Sequence, residues 1–181
     1  MLKFYFNGAP NPAKVALFLE ETGLPYELIP VDTRKGDQFK PEFLKVNPNG
    51  KVPAIDDGGI FVFDSNAILL YLGEKTGKFM PAKTPQNQAQ LYSWLMFIAT
   101  GLGPYSGQAV HFKHAAPKDL EYAHNRYQFE AHRHYRFSTT ISPRANTWSA
   151  TPTRSSTWRS GAGREWRRSY WAKRPMRNMP T

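Results

Sequence analysis

The chain contains no cysteine. Disulfides, cysteine-ligated zinc and any thiol nucleophile carried by the protein itself are thereby excluded. It also lacks any run of about eighteen apolar residues, so no segment reads as a membrane-spanning helix. The opening MLKFYFNGAP has no charged leader, no long apolar stretch and no small-residue cleavage site. It reads as a strand, and a cytoplasmic setting is the expectation. Acidic residues nearly vanish after residue 135, where one Glu stands against ten Lys and Arg; the preceding residues carry fourteen basic and thirteen acidic side chains. The net charge of +10 therefore belongs to the tail, and the nearly neutral body needs no polyanionic partner. Five histidines are present (His111, His114, His124, His132, His134), but no carboxylate or cysteine completes a ligand set at a convincing spacing, so no metal is expected.

What is present suffices for a packed core: 40% hydrophobic residues over 181 positions, one ordinary domain or two small ones. Leu2–Phe6 reads as a strand. Asn11-Pro12 opens a helical pattern with Val15, Ala16 and Leu19 on one face and Gly23 ending it. Asn is a good N-cap and Pro suits a first helical position. Tyr26–Val31 reads as a second strand and Phe39–Val46 as a short helix. Val52–Ile55 and Ile60–Phe63 flank Asp57-Gly58-Gly59, a hairpin signal. Ser65–Thr76 is a helix with Ile68, Leu69 and Leu72 inward. The order is βαβαββα.

Met80-Pro81 to Pro85 reads as a linker. A helical region begins near Asn87, with Leu91, Trp94, Leu95 and Ile98 at helical spacing, and Gly101–Gly107 interrupts it. Lys118–Tyr135 reads as an amphipathic helix. After Tyr135 the periodicity ends, and Ser, Thr, Pro and Arg alternate with lone tryptophans. The expected division is 1–81, a linker at 82–86, a helical region at 87–135 and an irregular basic tail at 136–181.

Three places invite chemistry. Val52-Pro53 sits at the start of a strand, either as a trans proline opening an edge strand or as a cis bond that turns the neighbouring N–H and C=O outward. Asp64-Ser65-Asn66 opens a helix, whose free N–H groups and positive dipole end suit a carboxylate, while Asp64 or Ser65 also serves as a cap. Asn11 stands at the start of the first helix, where the dipole favours a thiolate and a side-chain amide can donate to sulfur; it equally suits a plain N-cap.

The four segments NGAPNPAKVALFLEETGLPY, NPNGKVPAI, FDSNAILLYL and GLGPYSGQAVHFKHAAP, in this order and spacing, resemble the soluble glutathione transferases over about residues 1–135. The last segment is similar to the bacterial and fungal Ure2-like branch, which includes glutathione-dependent disulfide-bond oxidoreductases. The resemblance implies a thioredoxin-like α/β domain, then an all-α domain that is incomplete here. Glutathione is implied as co-substrate, with a small electrophile or a disulfide as second substrate and a homodimer as the assembly. By the same resemblance Asn11 contacts the glutathione sulfur, and Ala9 replaces a companion Thr. The Val52 backbone beside a cis Pro53 pairs with the cysteinyl part. Asp64, where many relatives have Glu, faces the ammonium group. Ser65 and the amides around Asn66 hold the γ-glutamyl carboxylate. Gln38 and Lys51 line the same cleft, and Tyr105, His111 and Phe112 border the second-substrate pocket. Tyr5 lies mid-strand and reads as packing.

The tail, with stretches such as TWRSGAGREWRRSYWAKR, has the composition of a nucleic-acid-binding segment, in which cations meet phosphates and aromatic faces stack on bases. No recognised nucleic-acid-binding motif accompanies that charge. In relatives a helix like Glu121–Tyr135 leads to a Gly-Asp-x-x-(Ser/Thr)-x-x-Asp capping box, which the tail lacks. Joining the third base of each codon to the first two of the next, with synonymous codons chosen freely, spells GDAYSIVDMA across Ser149–Arg159. Trp148 before Ser149 as TCN forces Val in that frame, and Trp158 before Arg159 as CGN forces Ala. The expectation is that 136–181 is read out of frame through a single base lost, or two gained, near codon 135. The helices left behind should then expose apolar faces and give a less stable, catalytically impaired protein. A polyanion would meet the tail through charge alone.

Overall fold

The computed structural model describes residues 1–117 and 119–141. A four-stranded sheet carries the first part of the chain, in the order β2-β1-β3-β4. Strand β1 (Leu2–Phe6) lies centrally, parallel to β2 (Tyr26–Pro30) and antiparallel to β3 (Ala54–Asp57). Strand β4 (Ile60–Phe63) closes the edge beside β3. The tight turn between β3 and β4 needs Gly58 and Gly59, both at positive φ, and the Gly59 amide donates to Asp56 at 2.7 Å.

Alternation along β1 builds two apolar clusters on opposite sheet faces. Leu2 and Phe4 join Val15, Leu19, Ile55, Ile68 and Leu72, contributed partly by helices α1 (Pro10–Thr22) and α3 (Ser65–Thr76). Tyr5 turns the other way and packs on Val31, Phe43, Val46 and Ala54, where Phe43 belongs to the single-turn helix α2 (Pro41–Leu44). The Tyr5 and Phe43 rings meet edge to face at 5.6 Å. Leu69, expected inward, is only partly buried, at the margin of the first cluster.

Several boundaries differ from the sequence reading. Helix α1 begins at Pro10, not at Asn11-Pro12: Ala9 is the N-cap and Asn11 sits inside the first turn. Pro10 takes the first helical position because its missing N–H is one the helix leaves unpaired there anyway. The short helix expected over 39–46 is a 3-10 turn at Asp37–Phe39 followed by α2. Strand β3 begins at Ala54, because Pro53 has no N–H to give the ladder. Gly23 and Gly77 end α1 and α3 in the left-handed conformation.

Helix α4 (Pro85–Met96) starts on a Thr84 cap whose hydroxyl accepts from the Asn87 amide at 3.2 Å. The glycines after residue 100 do not break the helical run as expected. A π-helical segment, Phe97–Leu102, absorbs the irregularity, and helix α5 (Gly103–His114) continues. Gly103 allows the close approach there, since a Cβ at that position would stand 3.1 Å from the Ile98 carbonyl. Helix α6 spans Glu121–Ile141, six residues past the expected end at Tyr135. The chain divides into one compact unit through Gln108 and another from Ala109. The rest of the basic tail, 142–181, lies outside the described residues, and so does the out-of-frame reading expected for it.

In the second unit, Glu130 on α6 is buried and meets Arg126 at 2.8 Å and Arg133 at 2.9 Å. The hydrogen bond from Arg133 holds its carboxyl below the usual range, against the opposing effect of burial. Buried His134 shares a 2.7 Å hydrogen bond with the Glu130 carbonyl one turn back. On the same helix Tyr122 is 84% exposed and Phe129 61% exposed.

Candidate glutathione cleft

Three chain segments of the first unit converge on a cleft of about 160 Å³. Asn11 comes from the first turn of α1. Asn47, Asn49, Lys51, Val52 and Pro53 come from the loop before β3. Phe63, Asp64 and Ser65 come from the junction of β4 and α3.

The loop is shaped by Asn47, which is 1% exposed. Its side-chain amide donates to the Lys51 carbonyl at 2.6 Å, and its oxygen accepts from the Asn49 amide at 3.0 Å. Two main-chain groups that the sheet cannot reach are thereby satisfied. The loop then enters the cis Val52-Pro53 bond. Gly50 needs its positive φ of 64°, and a Cβ there would press on Phe39 at 3.1 Å.

Asp64 caps α3. Its Oδ1 accepts from the amides of Asn66 at 2.8 Å and Ala67 at 3.3 Å, in a backbone with φ of 71°. That φ is unusual for a residue with a side chain. Both amides are thus paired to one oxygen of the Asp64 carboxylate. Ser65 is 4% exposed and lines the cleft.

Asn11, Lys51, Val52, Pro53, Asp64 and Ser65, all expected from the sequence, thus meet in one place. Asn66 adjoins it through its amide on Asp64. Gln38 is in the 3-10 turn and does not line the cleft; its Oε1 is buried with no hydrogen-bond partner among the described residues. Tyr105, His111 and Phe112 lie along α5. Phe112 stacks on Tyr127 of α6 at 5.0 Å and meets His111 edge-on at 5.3 Å. Tyr5 is packed away from the cleft lining, and burial raises its phenol above the ordinary value, with Lys3 opposing.

The sequence reading assigned no role to Asn47, Asn49 or Phe63. The first two lie within the NPNGKVPAI segment, whose asparagines look like ordinary turn residues. Phe63 looks like one more apolar strand residue, and only the end of β4 brings it to the cleft.

Chemically, the cleft offers a side-chain amide at a helix start, a carboxylate and a buried hydroxyl at a second helix start, and a lysine at the rim. Such a set suits a zwitterionic peptide-like molecule with an anionic centre near Asn11. Among the described residues no group of three or more His, Asp and Glu stands together to hold a metal, and no helix is long and apolar enough to cross a membrane.

The model of the glutathione S-transferase N-terminal domain matches residues 2–74. The disulfide-bond oxidoreductase YfcG of Escherichia coli (strain K12) is 51% identical over 142 residues, covering 75% of this chain and 66% of YfcG. A glutathione S-transferase domain-containing protein of Dictyostelium discoideum is 40% identical, over 72% of this chain and 54% of its own length. The chain therefore spans two thirds or less of these curated relatives. Among solved structures, a glutathione transferase homolog from Lodderomyces elongisporus with two GSH per subunit superposes with a TM-score of 0.73 at 34% identity, covering 81% of this chain and 72% of that one. A glutathione transferase from Pseudomonas putida, with one glutathione disulfide bound per subunit, gives 0.72 at 36% identity, over 77% and 64%. Sequence and fold agree with the cleft: the chain belongs to the glutathione S-transferase family.

Proposed function

We propose that the chain binds glutathione in this cleft and activates its thiol for attack on a small electrophile or a disulfide. The observation that carries the reading is the convergence of Asn11, the Val52-Pro53 segment and the Asp64-Ser65 helix start on one cavity. The Ser65 hydroxyl and the α3 dipole receive the γ-glutamyl carboxylate, Asp64 the ammonium, the Val52 backbone the cysteinyl unit and Asn11 the sulfur. In conjugation the thiolate forms a bond to the electrophilic atom as the leaving group departs. In disulfide exchange it attacks one sulfur and the other leaves as thiolate. This chain has no cysteine, so the glutathione sulfur is the only thiol available. The relatives solved with GSH or glutathione disulfide support the ligand class. Tyr105, His111 and Phe112 are assigned to the second substrate, and Lys51 to the rim. A homodimer belongs to the same reading, supported by Ile60 and Phe61, exposed on edge strand β4.

Calorimetric titration of the full chain with glutathione tests the reading. Saturable binding that weakens in Ser65→Ala supports it, and absence of any binding heat sinks it.

A second reading, a glutathione-binding protein with an impaired helical domain, is favoured by the exposed Tyr122 and Phe129 on α6. Glutathione binding without turnover on a panel of electrophiles and disulfides would mark it. Resequencing the gene across codons 125–181 then decides whether 136–181 is read out of frame. Codons unable to spell the second frame exclude that origin.

A further inference from the structure

Asn7 directly follows β1 and uses both ends of its side chain. Its oxygen accepts from the Ala9 amide at 3.0 Å, and its amide donates to the Thr33 hydroxyl at 3.2 Å. The first bond shapes the loop that leads into α1. The second crosses to a segment twenty-six residues later, beyond β2. The Val31 amide donates to the Phe6 carbonyl at 2.8 Å, one residue past β2, and Asn7 then carries the pairing on by a side chain.

Both partners lead to the cleft. On one side Asn7 stands just ahead of Asn11, which lines the cavity. Packing does not hold the loop between them at its tip. Gly8 is exposed, a Cβ there would meet nothing within 4 Å, and Ala9 caps α1 without a side-chain hydrogen bond. Pro12 is buried, so Asn11 is anchored by packing from the helix side and by Asn7 from the loop side. On the other side, Thr33 belongs to a turn in which the Asp32 amide donates to the Asp37 carboxylate at 2.9 Å. That turn runs into Phe39, whose ring lies against Gly50, next to Lys51, Val52 and Pro53 of the cleft lining. The Asn7–Thr33 bond thus ties the wall that bears Asn11 to the wall that bears Val52. Asn47 serves the second wall by the same device: it accepts from the amide two residues on and donates across its loop.

Resting on the glutathione reading above, we propose that Asn7, through its bond to Thr33, is a positioning residue for the thiol. It sets where Asn11 stands relative to the sulfur of a glutathione held by Val52, Asp64 and Ser65. Asn7 is not part of the cleft lining and acts through Asn11. Without it the entry to α1 drifts, while Asn47 keeps the Val52 loop in place and Asp64 still caps α3. The hydrogen bond from Asn11 to the sulfur then weakens, and the bound thiol becomes less acidic.

The test titrates the ultraviolet thiolate absorbance of glutathione bound to the full chain, in native, Asn7→Ala, Thr33→Val and Thr33→Ser proteins. Asn7→Ala and Thr33→Val should each raise the bound-thiol pKa by about one unit, the size expected when a hydrogen bond to an anion is weakened. Affinity at a pH where the thiol is protonated both free and bound should change by less than about threefold, because no ligand contact is removed. Thr33→Ser keeps the accepting hydroxyl and should titrate like the native chain. The double variant Asn7→Ala/Thr33→Val should shift the pKa no further than Asn7→Ala alone, since both changes break the same bond. A purely structural pair would lower the melting temperature and leave the bound-thiol pKa unmoved. That result, in variants that still bind glutathione, overturns the proposal alone, as does a Thr33→Ser protein that titrates like Thr33→Val. No binding by the native chain overturns the glutathione reading and this proposal together. Should Asn7→Ala fail to give a native circular-dichroism spectrum, Thr33→Val against Thr33→Ser decides in the same titration.

Discussion

The Asn47 side-chain amide donates to the Lys51 carbonyl at 2.6 Å, and this bond closes the loop that delivers Val52 and Pro53 to the cleft. Both ends of the side chain are used, since its oxygen also accepts from the Asn49 amide. Asn47→Ala removes the partners of two partly buried main-chain groups, at a cost of about 1–3 kcal/mol. The expected result is a lower melting temperature and weaker glutathione binding, read by thermal unfolding and calorimetry. Asn47→Asp keeps the acceptor and loses the donor, so it should behave like the alanine variant at the Lys51 carbonyl.

Asp64 allows the two roles of its carboxylate to be separated. Its φ of 71° is one that glycine adopts freely, and glycine is a tolerable N-cap. Asp64→Gly should therefore change stability by less than about 1 kcal/mol. It should nonetheless reduce glutathione affinity by roughly tenfold or more, because a charge-assisted hydrogen bond to the ligand's ammonium is lost. Unchanged affinity in a stable Asp64→Gly protein would show the carboxylate to be a helix cap and nothing more.

Acid sensitivity should trace in part to Asp57. Its carboxylate receives Lys75 and the Tyr71 hydroxyl, the latter at 2.7 Å. These hydrogen bonds, Lys75 first, hold its pKa below the ordinary value. A carboxyl depressed in the folded state contributes stability above its unfolded pKa and loses it as pH falls through the folded one. Lys75→Met should thus be less stable than native at neutral pH, with the difference shrinking as pH drops below the ordinary carboxylate range. Denaturant unfolding at a series of pH values measures it.

The outer face of α6 should govern solubility. Tyr122 and Phe129 are seven residues apart, two helical turns, and both are exposed. Replacing both with Glu should reduce self-association in light scattering and leave glutathione binding within about twofold of native. A drop in binding instead would assign these rings to the site.

Much of this was legible in the sequence, for definite physical reasons. Gly23, Gly58 and Gly59 each mark a backbone that only glycine adopts easily, so the end of α1 and the β3–β4 turn could be placed within a residue or two. The apolar run Leu2–Phe6 signalled a strand, with Tyr5 packed inside it, and the structure covers both of its faces. The start of α1 was misplaced because Pro10 and Pro12 compete for the same first position, and local preference does not rank them. Gly101–Gly107 reads as a break where the π segment Phe97–Leu102 in fact runs on into α5, since glycines that loosen a helix and glycines that end one look alike along the chain. In the cleft, residues with a local signature, such as Ser65 at a helix start, were found. Asn47 and Phe63 were not, because their part is set by which strand lies beside which.

The placement of β1 at the centre of the sheet has a consequence for how damage spreads. Every ladder bond of β1 is made to β2 or β3, and β4 completes the set by Phe63. A lesion in the gene after that point alters no rung of the sheet. The cleft lining ends only slightly later, at Ser65, and the core it leans on ends at Leu72 of α3, so a lesion beyond α3 leaves the residues of both as they are.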